Sequence, residues 1–170
     1  ALSLSLSPFI IFKYKINTMT TLLEIPKIEV VSVFAPTNPN YADPKIPVKD
    51  SFAWDKILEE LDIPPGMFIA LYAFRSIKNP DVDEVELERL DRLALGAAET
   101  AEGFLHYEPN PGLSYCVWRG STDTRSAINS KQHREAAAYA DQAYSYKKLE
   151  PWLIGRLSTR PQVEFITTTI

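Results

Sequence analysis

Residues 67–75, MFIALYAFR, restrict the possible folds of this chain more than any other segment. Their apolar and aromatic character favours a β-strand. Successive side chains of a strand point to opposite faces, and in this segment both faces are apolar. One face carries Phe68, Ala70, Tyr72 and Phe74, and the other carries Met67, Ile69, Leu71 and Ala73. Because both faces favour burial, the sequence predicts a sheet that is covered on both sides.

The segment after this strand has the pattern of a helix followed by a β-hairpin. Acidic residues that suit a helix N-terminus follow the turn at Asn79-Pro80-Asp81, and apolar residues then recur at steps of three and four up to Gly103. Two strand-prone runs, Phe104–Glu108 and 113–119, flank the turn 109–112 (PNPG). A helix and a pair of antiparallel strands are therefore expected.

The end of the domain repeats the order of helix and strand. A helical region pauses near Asn129 and Ser130, and residues 144–154 have the pattern of a final strand, in which Pro151 favours an edge position or an irregularity. The complete order of strand, helix, strand, strand, helix, strand is the split βαβ motif. The sequence therefore predicts an α+β fold over residues 66–157: a ferredoxin-like βαββαβ sandwich with an antiparallel four-stranded sheet and both helices on one face.

An N-terminal extension, residues 19–65, precedes this domain. Residues 27–34 (KIEVVSVF) favour a strand, and the four prolines of residues 36–47 favour an extended surface connection. The apolar residues that follow share one face of a short helix, which Asp50 or Ser51 can cap. The extension is long enough to cover the second sheet face in cis, or to extend a dimer interface.

Both ends of the chain are predicted to be tails. Residues 1–18 place Lys13 and Lys15 after the apolar run, which is the reverse of a signal peptide. We expect a disordered tail, and its origin stays open between a segment foreign to the natural product and a fragment of a targeting segment. Residues 158–170 are β-prone at 163–169, but the sequence assigns no partner strand.

Charge and composition argue against several functional classes. The formal net charge is −4, and Lys and Arg form no cluster larger than a pair, which argues against a nucleic-acid partner. No apolar run reaches the roughly 18 residues of a membrane span. The single cysteine, Cys116, cannot form an internal disulfide, and no Cys/His set has zinc spacing. We therefore expect a cytoplasmic protein without a metal.

Residues 66–157 resemble the dimeric α/β-barrel superfamily, which includes antibiotic-biosynthesis-monooxygenase-like domains. The resemblance rests on the element order, on MFIALYAFRS at the start and on GLSYCVWRGSTDTRSAINSKQHREAAAYADQAYSYKKLEPW at the end. The helix that carries His133-Arg134-Glu135-Ala136 is similar to that of an uncharacterised fungal family of this superfamily. The resemblance implies a homodimer that buries the open sheet face against a second copy.

The resemblance also implies a range of activities. Relatives include cofactor-independent monooxygenases, polyketide cyclases, haem-degrading enzymes and proteins of no known activity. Haem-degrading relatives use a helix histidine as the axial ligand, and this chain has Ala137 or a nearby alanine at the matching place, with His133 a turn earlier. No haem and no other cofactor is therefore expected.

The two histidines, His106 and His133, are the candidate catalytic residues. Histidine is the natural general acid or base near neutral pH. His106 lies on a short predicted strand near the hairpin, and His133 begins a helix. The alternative is that both are ordinary surface or strand residues.

The candidate substrate-binding residues lie on the predicted strands and are Tyr72, Arg75, Tyr115, Trp118 and Arg119. The aromatic rings could stack on a ligand, and an arginine at a strand end could bind a carboxylate or enolate. Alternation puts Tyr115 and Trp118 on opposite faces, which favours core packing unless a bulge intervenes. The alternative for the arginines is a solvated pair with an acid.

Two functional hypotheses follow from these residues. The first is a cofactor-independent, monooxygenase- or cyclase-like enzyme that acts on an aromatic or polyketide-type small molecule. The second is a non-catalytic protein that binds a small ligand or forms a dimer or assembly, because no motif pairs a nucleophile with a base. The faces towards which Tyr72, His106 and Trp118 point distinguish between them.

Overall fold

The computed structural model describes residues 33–120 and 124–167. These residues form five strands and four α-helices. In chain order they are α1 (Trp54–Glu60), β1 (Phe68–Lys78), α2 (Glu84–Glu99), β2 (Phe104–Glu108), β3 (Leu113–Trp118), α3 (Thr124–Ile128), α4 (Lys131–Ala143), β4 (Tyr144–Arg156) and β5 (Val163–Thr167), with a 3-10 turn at Val48–Asp50 before α1.

The strands form one antiparallel sheet in the order β2-β3-β1-β4-β5. Its first four members have the strand order expected of a split βαβ pair, so the predicted ferredoxin-like α+β fold is confirmed. The sheet has five strands where four were expected, because β5 lies within the predicted C-terminal tail and pairs with β4 from Arg156 to Trp152.

Pro151 lies on an interior strand, opposite Tyr72 of β1. Pairing between β4 and β5 begins one residue later, at Trp152, so the outer edge of β4 at Pro151 is not paired with any described residue. A proline is tolerated there because its missing N–H is not needed for a ladder hydrogen bond. Lys147 and Lys148 precede it on the same open edge, where lysine discourages pairing with another strand.

The helices begin at side-chain caps. Asp83 Oδ1 accepts hydrogen bonds from the backbone N–H groups of Val85 and Glu86, each at 3.0 Å, at the start of α2. Ser130 caps α4 and separates it from α3, which confirms the pause predicted there. The predicted cap of the short N-terminal helix is wrong: α1 begins after Ala53 without a side-chain cap, and the Ser51 hydroxyl donates instead to the Pro47 carbonyl at 3.0 Å.

Helices α2 and α3, with α4 packed against α2, cover one face of the sheet, which we call the helix face. It carries Ala70 and Trp118, and both pack with Ala127 of α3. Tyr72 and Leu153 lie at the margin of the same cluster. Among the described residues, no helix has both the length and the apolar character needed to cross a bilayer.

The other face, the extension face, is covered by the chain's own N-terminal residues. One core cluster joins strand residues to Phe34, Val48, Phe52, Trp54, Ile57, Leu58 and Ile63. Ile57 and Leu58 are completely buried against it. The extension therefore supplies an apolar cover for this face in cis, which is one of the two alternatives that the sequence left open. Homodimer formation itself stays a prediction.

Two N-terminal predictions fall largely outside the described residues. The tail at 1–18 lies entirely outside them. Of the strand expected at 27–34, only Val33 and Phe34 are described, and both lie in a turn.

Candidate functional site

The seven residues predicted from the sequence as site residues do not converge. His106, Tyr115 and Arg75 lie on the extension face, Tyr72 and Trp118 lie on the helix face, and His133 and Arg119 are exposed. The sheet separates the first group from the second. No single cavity can therefore use all of them.

His106 reaches the extension face because of a bulge in β2. Phe104 pairs with Trp118, whereas His106 pairs with Val117, so the register shifts at Leu105. Leu105 packs against the extension-face core, next to His106. Strict alternation would have put His106 on the same face as Phe104, and the bulge reverses this.

The His106 ring is packed rather than presented to a ligand. It stacks on Phe34 with ring centroids 4.2 Å apart and planes 9° from parallel. Its Nε2 lies 3.4 Å from Oε2 of Glu108 and has no hydrogen-bond partner among the residues that the structure describes. Burial lowers the pKa of His106, and the nearby Glu108 carboxylate only partly opposes this. The imidazole is therefore neutral at neutral pH.

Tyr115 binds the extension to the sheet. Its hydroxyl donates a 2.6 Å hydrogen bond to the Phe34 carbonyl oxygen, and its side chain is buried. Burial raises the pKa of Tyr115, so the hydroxyl stays a donor. This contact and the stacking on His106 both hold Phe34.

The helix-face aromatics are also engaged within the protein. The Tyr72 hydroxyl lies 3.3 Å from Oγ1 of Thr124, and Trp118 Nε1 donates to Sγ of Cys116 at 3.3 Å. Burial raises the pKa of Cys116 to about 11, so the thiol stays protonated and unreactive. These contacts are those of a packed core.

Asp91 and Tyr107 form a polar pair that the sequence analysis missed. The Tyr107 hydroxyl donates to Oδ1 of Asp91 at 2.7 Å and joins β2 to α2. Burial, reinforced by Asp91, raises the pKa of Tyr107. The signal was present in the sequence, because Asp91 lies four residues after Leu87 and beside Leu90 on the apolar face of the helix.

Arg75 is the most informative of the predicted site residues. Its side chain is 1% exposed, and Nε donates to Oε1 of Glu150 at 3.0 Å. Nη1 donates to the carbonyls of Tyr41 at 3.3 Å and Asp43 at 3.2 Å, and Nη2 donates to the Ile46 carbonyl at 2.7 Å. The guanidinium therefore fixes the backbone of residues 36–47, which we call the proline-rich loop.

A concave space of about 360 Å³ lies beside this arginine, and we call it the loop cleft. It is lined by residues 44–48, by residues 148–152 of β4, by Arg75 and by Thr167. The charged groups in the lining include Glu150, whose Oε1 also accepts from Lys148 Nζ at 3.0 Å. Trp152 contributes an indole whose Nε1 has no hydrogen-bond partner among the described residues.

A second concavity, of about 560 Å³, lies between α2 and the junction of α3 and α4. Small residues such as Gly96 and Ala97 line it together with Arg92, Ser126 and Gln132. Neither His106 nor His133 lines this groove or the loop cleft. Within residues 33–120 and 124–167, no group of three or more His, Cys, Asp or Glu side chains is arranged to hold a metal ion.

The exposed members of the predicted set lie apart from both clefts. His133 is in the first turn of α4, where its backbone N–H donates to Oγ of Ser130 at 3.1 Å. Arg119 follows β3, and its backbone N–H donates to the Gly103 carbonyl at 2.7 Å. Both backbones have structural partners, and both side chains are exposed.

Comparison with known proteins gives distant structural neighbours and one family. The crystal structure of a conserved protein from Methanosarcina mazei Go1 is 15% identical, with a TM-score of 0.41, over 53% of this chain and 93% of that chain. PA3566 from Pseudomonas aeruginosa is 19% identical, with a TM-score of 0.42, over 56% of this chain and 99% of that chain. NE2512, a protein of unknown function from Nitrosomonas europaea, is 15% identical, with a TM-score of 0.37, over 61% and 91% respectively.

No curated protein matches the chain. A family model does match it, over residues 15–165, which include the extension, the α/β domain and part of β5. The chain therefore belongs to the PB2B2.08-like family.

Proposed function

We propose that this protein is a non-catalytic small-molecule-binding protein and that the loop cleft is its binding site. The observation that carries the proposal is the way Arg75 is used. A buried arginine with one carboxylate and three loop carbonyls as partners holds the proline-rich loop beside β4. The concave wall between them is therefore formed before any ligand arrives, which lowers the entropic cost of binding.

The size and lining of the loop cleft support the same proposal. Its volume of about 360 Å³ lies within the range of small-ligand sites, which is roughly 300–1,000 Å³. Pro44, Pro47 and Trp152 supply apolar surface, and Lys148 and Glu150 supply polar groups. Such a combination of apolar walls and a few polar groups is typical of ligand sites.

The enzyme hypothesis receives no comparable support. That hypothesis assigned proton transfer to His106 or His133. Neither histidine lines the loop cleft or the groove beside α2. His106 is stacked on Phe34, and His133 is exposed on α4. Membership of the monooxygenase-like superfamily stays a prediction from the resemblance.

A pair of tryptophan substitutions tests the cleft. Thr167 lines it, whereas the adjacent Ile166 points to the opposite face of β5 and does not. Both positions are exposed, so both variants should fold. Thr167→Trp is expected to fill the cleft, and Ile166→Trp serves as the matched control.

The measurement is an NMR titration with a set of small aromatic fragments, which reports on each backbone amide. Fragments should shift the signals of residues 44–48 and 148–152 in the parent protein and in Ile166→Trp, but not in Thr167→Trp. Shifts that persist in Thr167→Trp, or that map to another surface, would refute this site.

A further inference from the structure

We infer that the ligand of the loop cleft is a small organic carboxylate with an apolar body. The inference rests on the proposed function, since it names the ligand class of the same site.

The charged residues that line the loop cleft are three cations and one carboxylate: Lys45, Arg75, Lys148 and Glu150. The two oppositely charged groups at its floor, Arg75 and Glu150, neutralise each other across 3.0 Å. The two lysines are then left as an excess of positive charge at the mouth. This local excess stands out in a chain whose formal net charge is −4, and it favours an anion.

The lysines are also the groups that are free to reach a ligand. Arg75 is 1% exposed and is held by four acceptors, so it has little freedom to turn towards the cleft. The Lys148 side chain is 58% exposed, and its ion pair with Glu150 uses an oxygen that Arg75 already occupies. A flexible ammonium with three donors can keep this contact and bind a ligand carboxylate as well.

The walls of the cleft require an apolar body on the ligand. Pro44, Pro47 and Pro151 present ring carbons, and Trp152 adds an aromatic surface. A fully hydrated inorganic anion would leave these surfaces unused. A carboxylate attached to a ring or a short aliphatic chain would bury them while its charge stays at the lysines.

Three probes carry the same phenyl ring and differ in charge: benzoate is an anion, benzamide is neutral and benzylamine is a cation. We expect benzoate to bind about tenfold more tightly than benzamide in an NMR titration, and benzylamine to bind least. The Lys148→Gln variant should reduce benzoate binding to the level of benzamide. Added salt should weaken the binding of benzoate more than that of benzamide.

Lys147→Gln is the matched control for Lys148→Gln. Lys147 is the neighbouring residue on β4, lies on the helix face opposite Ser76, and pairs with Asp141. The Lys147→Gln variant should bind benzoate with an affinity within about twofold of that of the parent protein, a difference near the limit of such titrations. Loss of benzoate affinity in both variants alike would overturn the role of Lys148.

The outcomes separate this inference from the proposed function. If benzoate and benzamide bind equally, and Thr167→Trp abolishes both, the cleft is a ligand site without anion preference and the inference fails alone. If benzylamine binds best, the charge argument is wrong. If none of the three binds at about 10 mM, far above ordinary ligand concentrations, both the inference and the proposed function are refuted.

Discussion

Nε of Arg75 and Oε1 of Glu150 form a 3.0 Å ion pair between two neighbouring strands, with the arginine 1% exposed and the glutamate 12% exposed. Arg75 is on β1, and the residue directly opposite it on β4 is Lys148. Glu150 lies two residues further along β4. Removing a charge of this kind from water is costly unless every donor finds a partner. The carbonyls of the proline-rich loop complete the set, so the ion pair and the loop depend on each other.

Replacing Arg75 should therefore destabilise the whole protein. Arg75→Met leaves Glu150 buried without its main partner and removes the guanidinium donors from three loop carbonyls, of which only that of Asp43 keeps another donor among the described residues, the Ile46 N–H at 2.9 Å. We expect a loss of about 3–5 kcal/mol in the free energy of unfolding, measured by urea denaturation. Arg156→Gln is the control, since Arg156 pairs with the exposed carboxylates of Asp55 and Glu59, and its loss should cost about 1 kcal/mol or less. Equal losses in the two variants would contradict the role given to Arg75.

The sequence predicted part of this arrangement. Alternation along β1 puts Arg75 at the end of the apolar face that carries Ile69, Leu71 and Ala73. The sequence alone therefore indicates a cation next to apolar side chains. Its carbonyl acceptors were not, because they lie 29 to 34 residues earlier in a loop without periodicity. The alternative of a solvated strand end is wrong for Arg75, because its side chain is 1% exposed and binds the loop.

The strand order was predictable for a different reason. Hydrophobic period and turn chemistry are local, and they gave the six elements of the split βαβ motif. The position of His106 was not predictable, because a single extra residue at Leu105 changes its face and leaves no mark on the pattern. The pairing of β5 also depends on a contact between segments that local patterns do not encode.

The cover on the extension face is expected to be part of the folding core. Leu58 is completely buried in the same cluster as Leu71 of β1. Leu58→Ala should cost about 2–5 kcal/mol in urea denaturation, similar to Leu71→Ala, because both leave a cavity in one core. Lys56→Ala, on the exposed side of α1, should change stability by about 0.5 kcal/mol or less.

The same variants distinguish a cis cover from a docking surface. If the extension were a dispensable arm, Leu58→Ala would be as mild as Lys56→Ala. Size-exclusion chromatography adds a second observation, since loosening the cover exposes apolar strand residues. Leu58→Ala should therefore self-associate more than the parent protein.

Replacing Gly155 and Gly96 by alanine should change the stability of the protein in opposite directions. A Cβ at Gly155 would overlap the Met67 carbonyl oxygen and lie 2.9 Å from the Phe68 ring, so Gly155→Ala should cost about 1–3 kcal/mol or more. Gly96 lies within α2 with nothing within 4 Å of its added Cβ. Gly96→Ala should therefore stabilise the protein by up to about 1 kcal/mol through helix propensity. Thermal unfolding of the two variants checks both signs, and a stabilised Gly155→Ala would show that β4 does not approach Met67 and Phe68 closely at Gly155.

His106 should make stability depend on pH between neutral and mildly acidic conditions. Burial lowers the pKa of His106 in the folded state below its ordinary value of 6.5. As the pH falls through about 6.5, the unfolded chain takes up a proton that the folded chain still excludes. The stabilisation is therefore complete above that pH and is lost progressively below it.

His106→Phe should remove this dependence and preserve the stacking on Phe34. The parent protein is expected to lose more stability than His106→Phe between about pH 7.5 and about pH 5.5, measured by urea denaturation at each pH. Glu108→Gln should act in the opposite direction, because the Glu108 carboxylate favours the protonated imidazole and its removal lowers the pKa of His106 further. Glu108→Gln should therefore lose more stability than the parent protein over the same fall in pH. Identical pH profiles for the parent protein and His106→Phe would mean that His106 takes up its proton equally well in the folded and unfolded chain.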